Sequence, residues 1–339
     1  MNKSSNILEI DGVKIGVGYP TYFIAEAGLN HNGDIKLAKK LIEQAKDCGA
    51  NAIKFQTFKT EEFVRKSNKY FDLFKQAQLE QEEFGELMDY AKSKEITFFS
   101  APFDIDSANY LKKIGVPCFK IASSDLINMP LIKHIAKMST PMIISTGLSL
   151  MREVEESVNW CLYEGNDKLA LLHCVAHYPT IPEEANLDAI NLMREKFPFP
   201  IGYSDNGEST LVDLAAASIG ANLIEKHFTL DKKMSGPDHS FSIDPSGLKK
   251  LMSEIRLIEK IKGDGMKIPR NNELESRFYI RTSITAKCDL KKDDILTNEV
   301  LSVKRPADGI EPKYLDQLIG KKINKDLSSD SPITWKDII

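Results

Sequence analysis

Eight short apolar runs in the first two thirds of the chain each end in polar or charged residues: YFIAEAG (22–28), AIKFQT (52–57), ITFFSAPF (96–103), CFKIASSD (118–125), MIISTGL (142–148), LALLHCV (169–175), IGYSDNG (201–207) and LIEKHFT (223–229). Segments apolar on both faces, each followed by an amphipathic stretch and then by another such run, write a parallel sheet with crossover helices. Eight such units close a barrel, so the predicted class is α/β, a (β/α)8 barrel followed by a small β-rich domain. A barrel of this kind gathers its chemistry at the C-terminal ends of its strands. The sequence therefore orders its own candidates: Glu26, Lys54, Gln56, Lys120, Ser123, Asp125, Ser145, Ser204, Asp205 and His227.

The segments between the runs support this. After the first run, Leu37, Ala38, Leu41, Ile42 and Ala45 share one helical face, with Asp34 near the start and Gly49 at the end. Gly115 and Gly220 end later helices in the same way, each just before a strand. Upstream, Ile7 to Gly16 alternates around Asp11-Gly12, a hairpin signal placed as a plug or lid at the bottom of the barrel. Leu248 to Ile261 makes a last amphipathic helix, and the pattern then breaks in the polar stretch GDGMKIPRNNELESR. The expected organisation is a barrel with its N-terminal hairpin over 1–262, a linker over 263–276 and a second domain over 277–339. That domain holds short β-like segments (SITAK, ILTNEVLSVKRP, GKKINK, PITWKDI) and is too short for much independent core.

Composition excludes several classes. With 45 Lys and Arg against 49 Asp and Glu, the net charge of −4 offers nucleic acid no global attraction. The N-terminal MNKSSNILEIDG has no signal-peptide core, and no apolar stretch approaches the roughly 18 residues of a membrane span. Cys48, Cys118, Cys161, Cys174 and Cys288 stand singly, without a CxxC or a disulfide framework, and read as reduced thiols of a cytoplasmic protein.

Two lysines at the ends of the second and fourth strands, with serines ending the fourth, fifth and seventh, are the donors a phosphate or carboxylate needs in a barrel mouth. The competing reading pairs Lys54 and Lys120 with nearby acids. Glu26, Asp125, Asp205 and Asp238 offer acceptors for sugar hydroxyls, or a general acid or base tuned by the lysines; the bland alternative is a supporting salt bridge. His227 stands at a strand end between charged neighbours in IEKHFTLD and is the metal-ligand candidate, although catalytic metals take several protein ligands. His31 in NHNG competes with loop and cap roles. His173 reads as a satisfied core residue, and His239 in GPDHS as a shaper of the loop over the mouth.

In order and spacing, AEAGLNHNGD, KFQTF, KIASSD, ISTGL, LLHCVAHYPT, GYSDNG, IEKHFTLD and GPDHSFS resemble the motifs of the sialic acid (nonulosonic acid) synthases, and VKRPADGI resembles that family's C-terminal antifreeze-like (SAF) domain. The resemblance covers nearly the whole chain. It implies condensation of phosphoenolpyruvate with an N-acetylated mannose-type aldehyde, releasing phosphate and forming a nine-carbon keto acid. It further implies a divalent metal, Mn or Mg, and a domain-swapped homodimer in which each tail domain covers the other subunit's barrel. Carried over, Lys54, Lys120, Ser123, Ser145 and Ser204 fall where the family binds phosphoenolpyruvate. Glu26, Tyr178 and Asp238 fall where it holds the sugar, His227 where it holds the metal, and Arg305 where the tail reaches the sugar's N-acetyl side.

Three positions depart from the family. Asn206 stands where a second metal-binding histidine is usual; an amide oxygen can ligate Mn or Mg but is a weaker ligand for Mn than imidazole. Asp125 replaces a glutamate, and Ala176 replaces a polar residue of several members. These departures point to altered sugar specificity or to a weakened enzyme. Two other classes fit the bare barrel: a Schiff-base aldolase with Lys54 or Lys120 as nucleophile, and an inactive barrel acting as a carbohydrate-binding module. The exact sugar stays open among N-acetylmannosamine, a 2,4-diacetamido trideoxy hexose leading to legionaminic acid, and a 6-phosphorylated form, the last disfavoured by the lack of an extra basic cluster.

Overall fold

The structure, a computed structural model, describes residues 7–339; residues 1–6, where the N-terminal segment considered above for a leader begins, lie outside it. A short antiparallel hairpin, β1 (Leu8–Ile10) and β2 (Val13–Ile15), comes first. Eight parallel strands follow: β3 (Tyr22–Gly28), β4 (Ala52–Thr57), β5 (Thr97–Pro102), β6 (Phe119–Ile121), β7 (Met142–Ser145), β8 (Leu169–Cys174), β9 (Ile201–Asp205) and β10 (Leu223–His227). They form a closed barrel in sequence order, with β10 returning to pair with β3, Leu223 opposite Tyr22 and His227 opposite Glu26.

The crossover helices are α1 (Ile35–Asp47), the set α2 (Thr60–Phe63), α3 (Phe71–Ala77) and α4 (Gln81–Ser93), then α5 (Ile105–Ile114), α6 (Met129–Ala136), α7 (Met151–Tyr163), α8 (Asp188–Lys196), α9 (Thr210–Ser218) and α10 (Pro245–Lys262). Their ends follow local chemistry. The Asp34 carboxylate accepts the Lys36 N–H at the start of α1, and Gly115 ends α5 at φ +86°, a conformation that costs a residue with a Cβ.

Strand alternation separates two cores. Outward residues such as Phe55, Ile121, Ile144 and Leu171 pack on the helices. Inward residues of the lower barrel, Tyr22, Ile24, Ala52, Phe99, Ile143 and Leu172 among them, form a second cluster that Leu8, Ile10 and Ile15 of the hairpin seal from below. The same inward positions one layer higher carry Glu26, Lys54, Lys120, Ser145, Ser204 and Glu225, all buried. The barrel is apolar at its base and charged at its mouth. Beside the mouth, the α2–α3 segment adds a small aromatic cluster in which the Phe63 ring lies 4.4 Å from Phe103 and 4.9 Å from Phe74.

The chain divides into two compact units, one ending at Gly263 and one spanning Asp264–Ile339. The second opens with α11 (Asn271–Ile280), where the sequence reading placed a linker. Every residue of α11 is exposed, so no buried face marks it; its apolar residues are a lone Leu274 and then Phe278, Tyr279 and Ile280 in a row, too few for a repeating helical stripe. Its start is capped by Glu273, whose carboxylate accepts the Arg270 N–H. Beyond it, β11 (Ser283–Ala286) pairs antiparallel with β12 (Leu301–Lys304), over a core of its own that includes Ile284, Leu296, Ile310, Leu318 and Ile333. The other β-like segments of the sequence appear only as isolated bridges, such as Ile323 with Ile338.

Candidate active site

Strand ends bring six of the predicted side chains and one unpredicted one into a single buried cluster. Lys54 Nζ lies 3.1 Å from Glu225 Oε1 and 3.2 Å from Glu26 Oε2. Lys120 Nζ lies 3.5 Å from the same Glu225 oxygen and donates to Ser145 Oγ at 2.6 Å. Ser204 Oγ donates to Glu225 at 3.1 Å, and Gln56 Nε2 to Glu26 Oε1 at 3.1 Å. Lys54 and Lys120 are 4% and 1% exposed, so water screens these charges little.

Burial and neighbours set the protonation states. Burial would lower Lys54, yet Glu225 and Glu26 hold it above its ordinary value. Lys120 falls to about 8: burial dominates and the Lys54 charge adds to it, against the pull of Glu225. Glu225 drops to about 2 despite its burial, because both lysines favour its anion. Glu26 goes the other way, raised by burial and by Glu225 against the pull of Lys54. Two similar carboxylates thus have opposite tendencies, one fixed as an anion and one ready to hold a proton.

Glu225 is the residue that the sequence reading passed over. Its signal was a carboxylate inside an apolar strand, two residues before His227 and so on the same face.

His227 continues that face. It is buried, burial lowers its pKa, and its Nδ1 has no hydrogen-bond partner, with Asp238 Oδ2 3.7 Å away. The Tyr178 and Phe241 rings stand against it at 5.8 and 5.2 Å. Gly28, at φ +50°, makes room here: a Cβ on it would lie 3.1 Å from Asp238 Oδ2 and 3.5 Å from the His227 ring. These residues open onto a cavity of about 490 Å³ lined by Gln56, Tyr178, His227, Asp238 and Ser240, with an apolar wall from Leu29, Phe63, Leu73, Phe74 and Phe241. No lysine or arginine lines it among the described residues.

Other predicted residues stand apart from the lysine cluster. Ser123 Oγ accepts the Gly147 N–H at 3.0 Å, in the next strand-end loop. Asp125 is raised by burial and hydrogen-bonds its own turn, accepting from Asn128 and Ser124. Asn206 donates its amide to Val175 O at 2.8 Å. Arg305 is exposed and belongs to the second unit. Asp205 requires a correction. Strand alternation that points Ser204 inward points Asp205 outward, and its carboxylate pairs with the buried Lys226 and accepts the Gly207 N–H between sheet and helices. It therefore does not serve as an acid or base in the mouth. Of the other histidines, His173 shares a hydrogen bond with Ala185 O at 2.9 Å and His239 one with Thr229 Oγ1 at 2.6 Å, supporting roles in both cases.

Residues 41–267 match the NeuB family and residues 281–339 the SAF domain. The N,N'-diacetyllegionaminic acid synthase of Campylobacter jejuni is 40% identical, the match covering 92% of this chain and 98% of that one. The human N-acetylneuraminate-9-phosphate synthase is 33% identical over 94% of this chain and 93% of its own. Among solved structures, the N-acetylneuraminic acid synthetase of Leptospira borgpetersenii, in complex with citrate, is 40% identical and superposes with a TM-score of 0.77, covering 80% of this chain and 95% of that chain. The chain belongs to the NeuB family and carries a SAF domain after its barrel.

Proposed function

We propose that the barrel mouth condenses phosphoenolpyruvate with an N-acetylated mannose-type hexose to give a nonulosonic acid and phosphate. The observation that carries the reading is the pair of buried lysines, Lys54 and Lys120, held one layer above the barrel core beside two serine hydroxyls. An ammonium pair in a water-poor mouth suits a substrate that brings both a phosphate and a carboxylate. In the reaction, C3 of the enol attacks the aldehyde carbon, water adds at C2, and the C2–O bond to phosphate breaks. Glu26, whose carboxyl is pushed up, can give the proton that the aldehyde oxygen takes up as it becomes a hydroxyl.

The sugar fits the cavity beside His227. Among the described residues the barrel's own lining of this cavity lacks a cation for a phosphate, and the wall of Phe63, Leu73, Phe74 and Phe241 suits acetamido methyl groups, which favours an uncharged hexose over a 6-phosphorylated one. The similarity to a diacetyllegionaminic acid synthase supports the same choice.

A divalent Mn or Mg belongs to this proposal. The neutral His227 imidazole, with one ring nitrogen unpartnered in a polar mouth, suits such an ion; the oxygen of the Asn206 amide is a second donor, with water and substrate oxygens completing the shell. Among the described residues no three His, Cys, Asp or Glu stand together as a cage, so the chain itself supplies few ligands. Such an ion supplies polarisation of the aldehyde carbonyl. The proposal also includes a cytoplasmic homodimer in which Arg305 of one subunit serves the other's sugar. No helix is long and apolar enough to cross a membrane among the described residues.

A panel of the three candidate aldehydes with phosphoenolpyruvate, read by phosphate release and product mass, tests the reading; no release with any of them overturns it. Lys120 near 8 is also what an imine-forming lysine needs. Borohydride with pyruvate leaves a covalent adduct on an aldolase and none on this synthase.

A further inference from the structure

Behind the mouth lies a charged group that the chemistry above does not use. At most outward positions the strands meet the helices through side chains such as Phe55, Ile121, Leu171 and Ile224. Lys226 breaks the pattern: it is 1% exposed, and its ammonium contacts Asp205 of β9 and, at 3.0 Å, Asp213 Oδ2 of α9. Asp213 and Asp205 are buried as well, at 0% and 2% exposure. Apolar packing would fill such a space at lower cost, so an ion group here calls for a positional role.

Its hydrogen bonds lead to one short segment. Lys226 Nζ donates to Gly207 O at 2.9 Å, and Asp205 Oδ1 accepts the Gly207 N–H at 2.9 Å, so both backbone groups of Gly207 are gripped by the network. The preceding residue, Asn206, holds the neighbouring loop at two points: its amide donates to Val175 O at 2.8 Å, and its carbonyl accepts the Thr180 N–H at 3.1 Å. Thr180 Oγ1 closes that loop on itself through Val175 O and His177 O. Between the two anchored ends sits Tyr178, whose ring faces His227 and lines the cavity. Gly207 is also tightly packed: a Cβ there would lie 2.7 Å from Thr180 O.

We infer that Lys226, Asp205 and Asp213 are positioning residues for the sugar, setting through Gly207 and Asn206 the loop that places Tyr178 over the mouth. They touch neither substrate; they act through the backbone they hold. The inference rests on the proposed reaction and deepens it by separating the sugar side of the site from the phosphoenolpyruvate side, which is built on Lys54 and Lys120.

The test is steady-state kinetics with each substrate varied in turn, on the intact protein. In Lys226→Met combined with Asp205→Asn, the closest ion pair goes as a unit, Asp213, whose carboxyl burial pushes up, is left to hold a proton, and the amide oxygen at position 205 can still accept from Gly207. The expected result is a KM for the sugar raised tenfold or more, with the KM for phosphoenolpyruvate within twofold of wild type. Gly207→Ala is the second variant, which pushes the Thr180 carbonyl directly without touching a charge, and it should show the same one-sided rise. A purely structural role lowers the thermal midpoint or the fraction of active protein and leaves both KM values alone; that result, or an equal rise in both, overturns the inference. If the double variant does not fold, Gly207→Ala alone decides. Wild type without phosphate release refutes the proposed reaction instead, so the two failures are distinguishable.

Discussion

Lys120→Met separates what the mouth costs the fold from what it gives the reaction. In the folded protein Lys120 titrates at about 8 against an ordinary 10.5, which corresponds to ~3 kcal/mol of disfavoured charge. The sign follows from proton counting. Between about 8 and 10.5 the folded chain binds fewer protons than the unfolded one, so the penalty is complete below 8 and fades as pH rises toward 10.5. Met fills the same slender space without a charge. The value near 8 already contains the pull of Glu225; what Met adds is a buried Ser145 hydroxyl without its 2.6 Å partner, which returns part of the gain and leaves a net stabilisation of roughly 1 kcal/mol, or about 2–4 °C, at pH 7. Raising the pH from 7 to 9 should narrow the difference between the two proteins. Activity should move the other way: losing one charge-assisted bond to phosphoenolpyruvate costs about 1.5–3 kcal/mol, roughly 10- to 150-fold in kcat/KM. Calorimetry and phosphate release on the same samples check both. A midpoint that falls by about 5 °C or more, or wild-type kinetics, refutes the assignment of Lys120 as a strained substrate-binding group.

Asn206→His should lower the Mn or Mg concentration needed for half-maximal activity, since imidazole is the stronger ligand for Mn, and an unchanged metal titration removes residue 206 from the coordination shell. Gly28→Ala, at φ +50° with its new Cβ 3.1 Å from Asp238 Oδ2, should cost the fold about 1–3 kcal/mol and, by displacing Asp238, raise the sugar KM; unchanged sugar KM contradicts that geometry. Mixing Lys120→Ala with Arg305→Ala protein after dissociation and reassociation should restore roughly a quarter of wild-type activity, because half of the randomly formed dimers carry one intact site. Absence of recovery, with subunit exchange verified by mass, shows that the tail serves its own barrel or none.

The barrel was legible because each strand is apolar on both faces, and polarity switches on only at the strand's end. The same switch located Lys54, Lys120, Ser145 and Ser204, four of the groups found in the cluster. Two errors share one cause. At a strand end a charged residue can point either into the mouth or into the helix layer, and only its parity along the strand decides. Asp205 is one residue beyond Ser204 and so points outward, whereas Glu225 is two before His227 and points in. The α11 helix was missed for a different reason: with no buried face it leaves no 3.6-residue pattern to read.

The pairing of β3 with β10 also sets a schedule for the nascent chain. These edges meet across about two hundred residues, so at about 5–20 residues per second synthesis alone separates their emergence by roughly 10–40 s. Through that interval YFIAEAG presents an open apolar edge on which Glu26 is the single charge, and Leu8, Ile10 and Ile15 have no finished base to seal. Slower translation lengthens this exposure, so soluble yield should fall as the elongation rate is reduced.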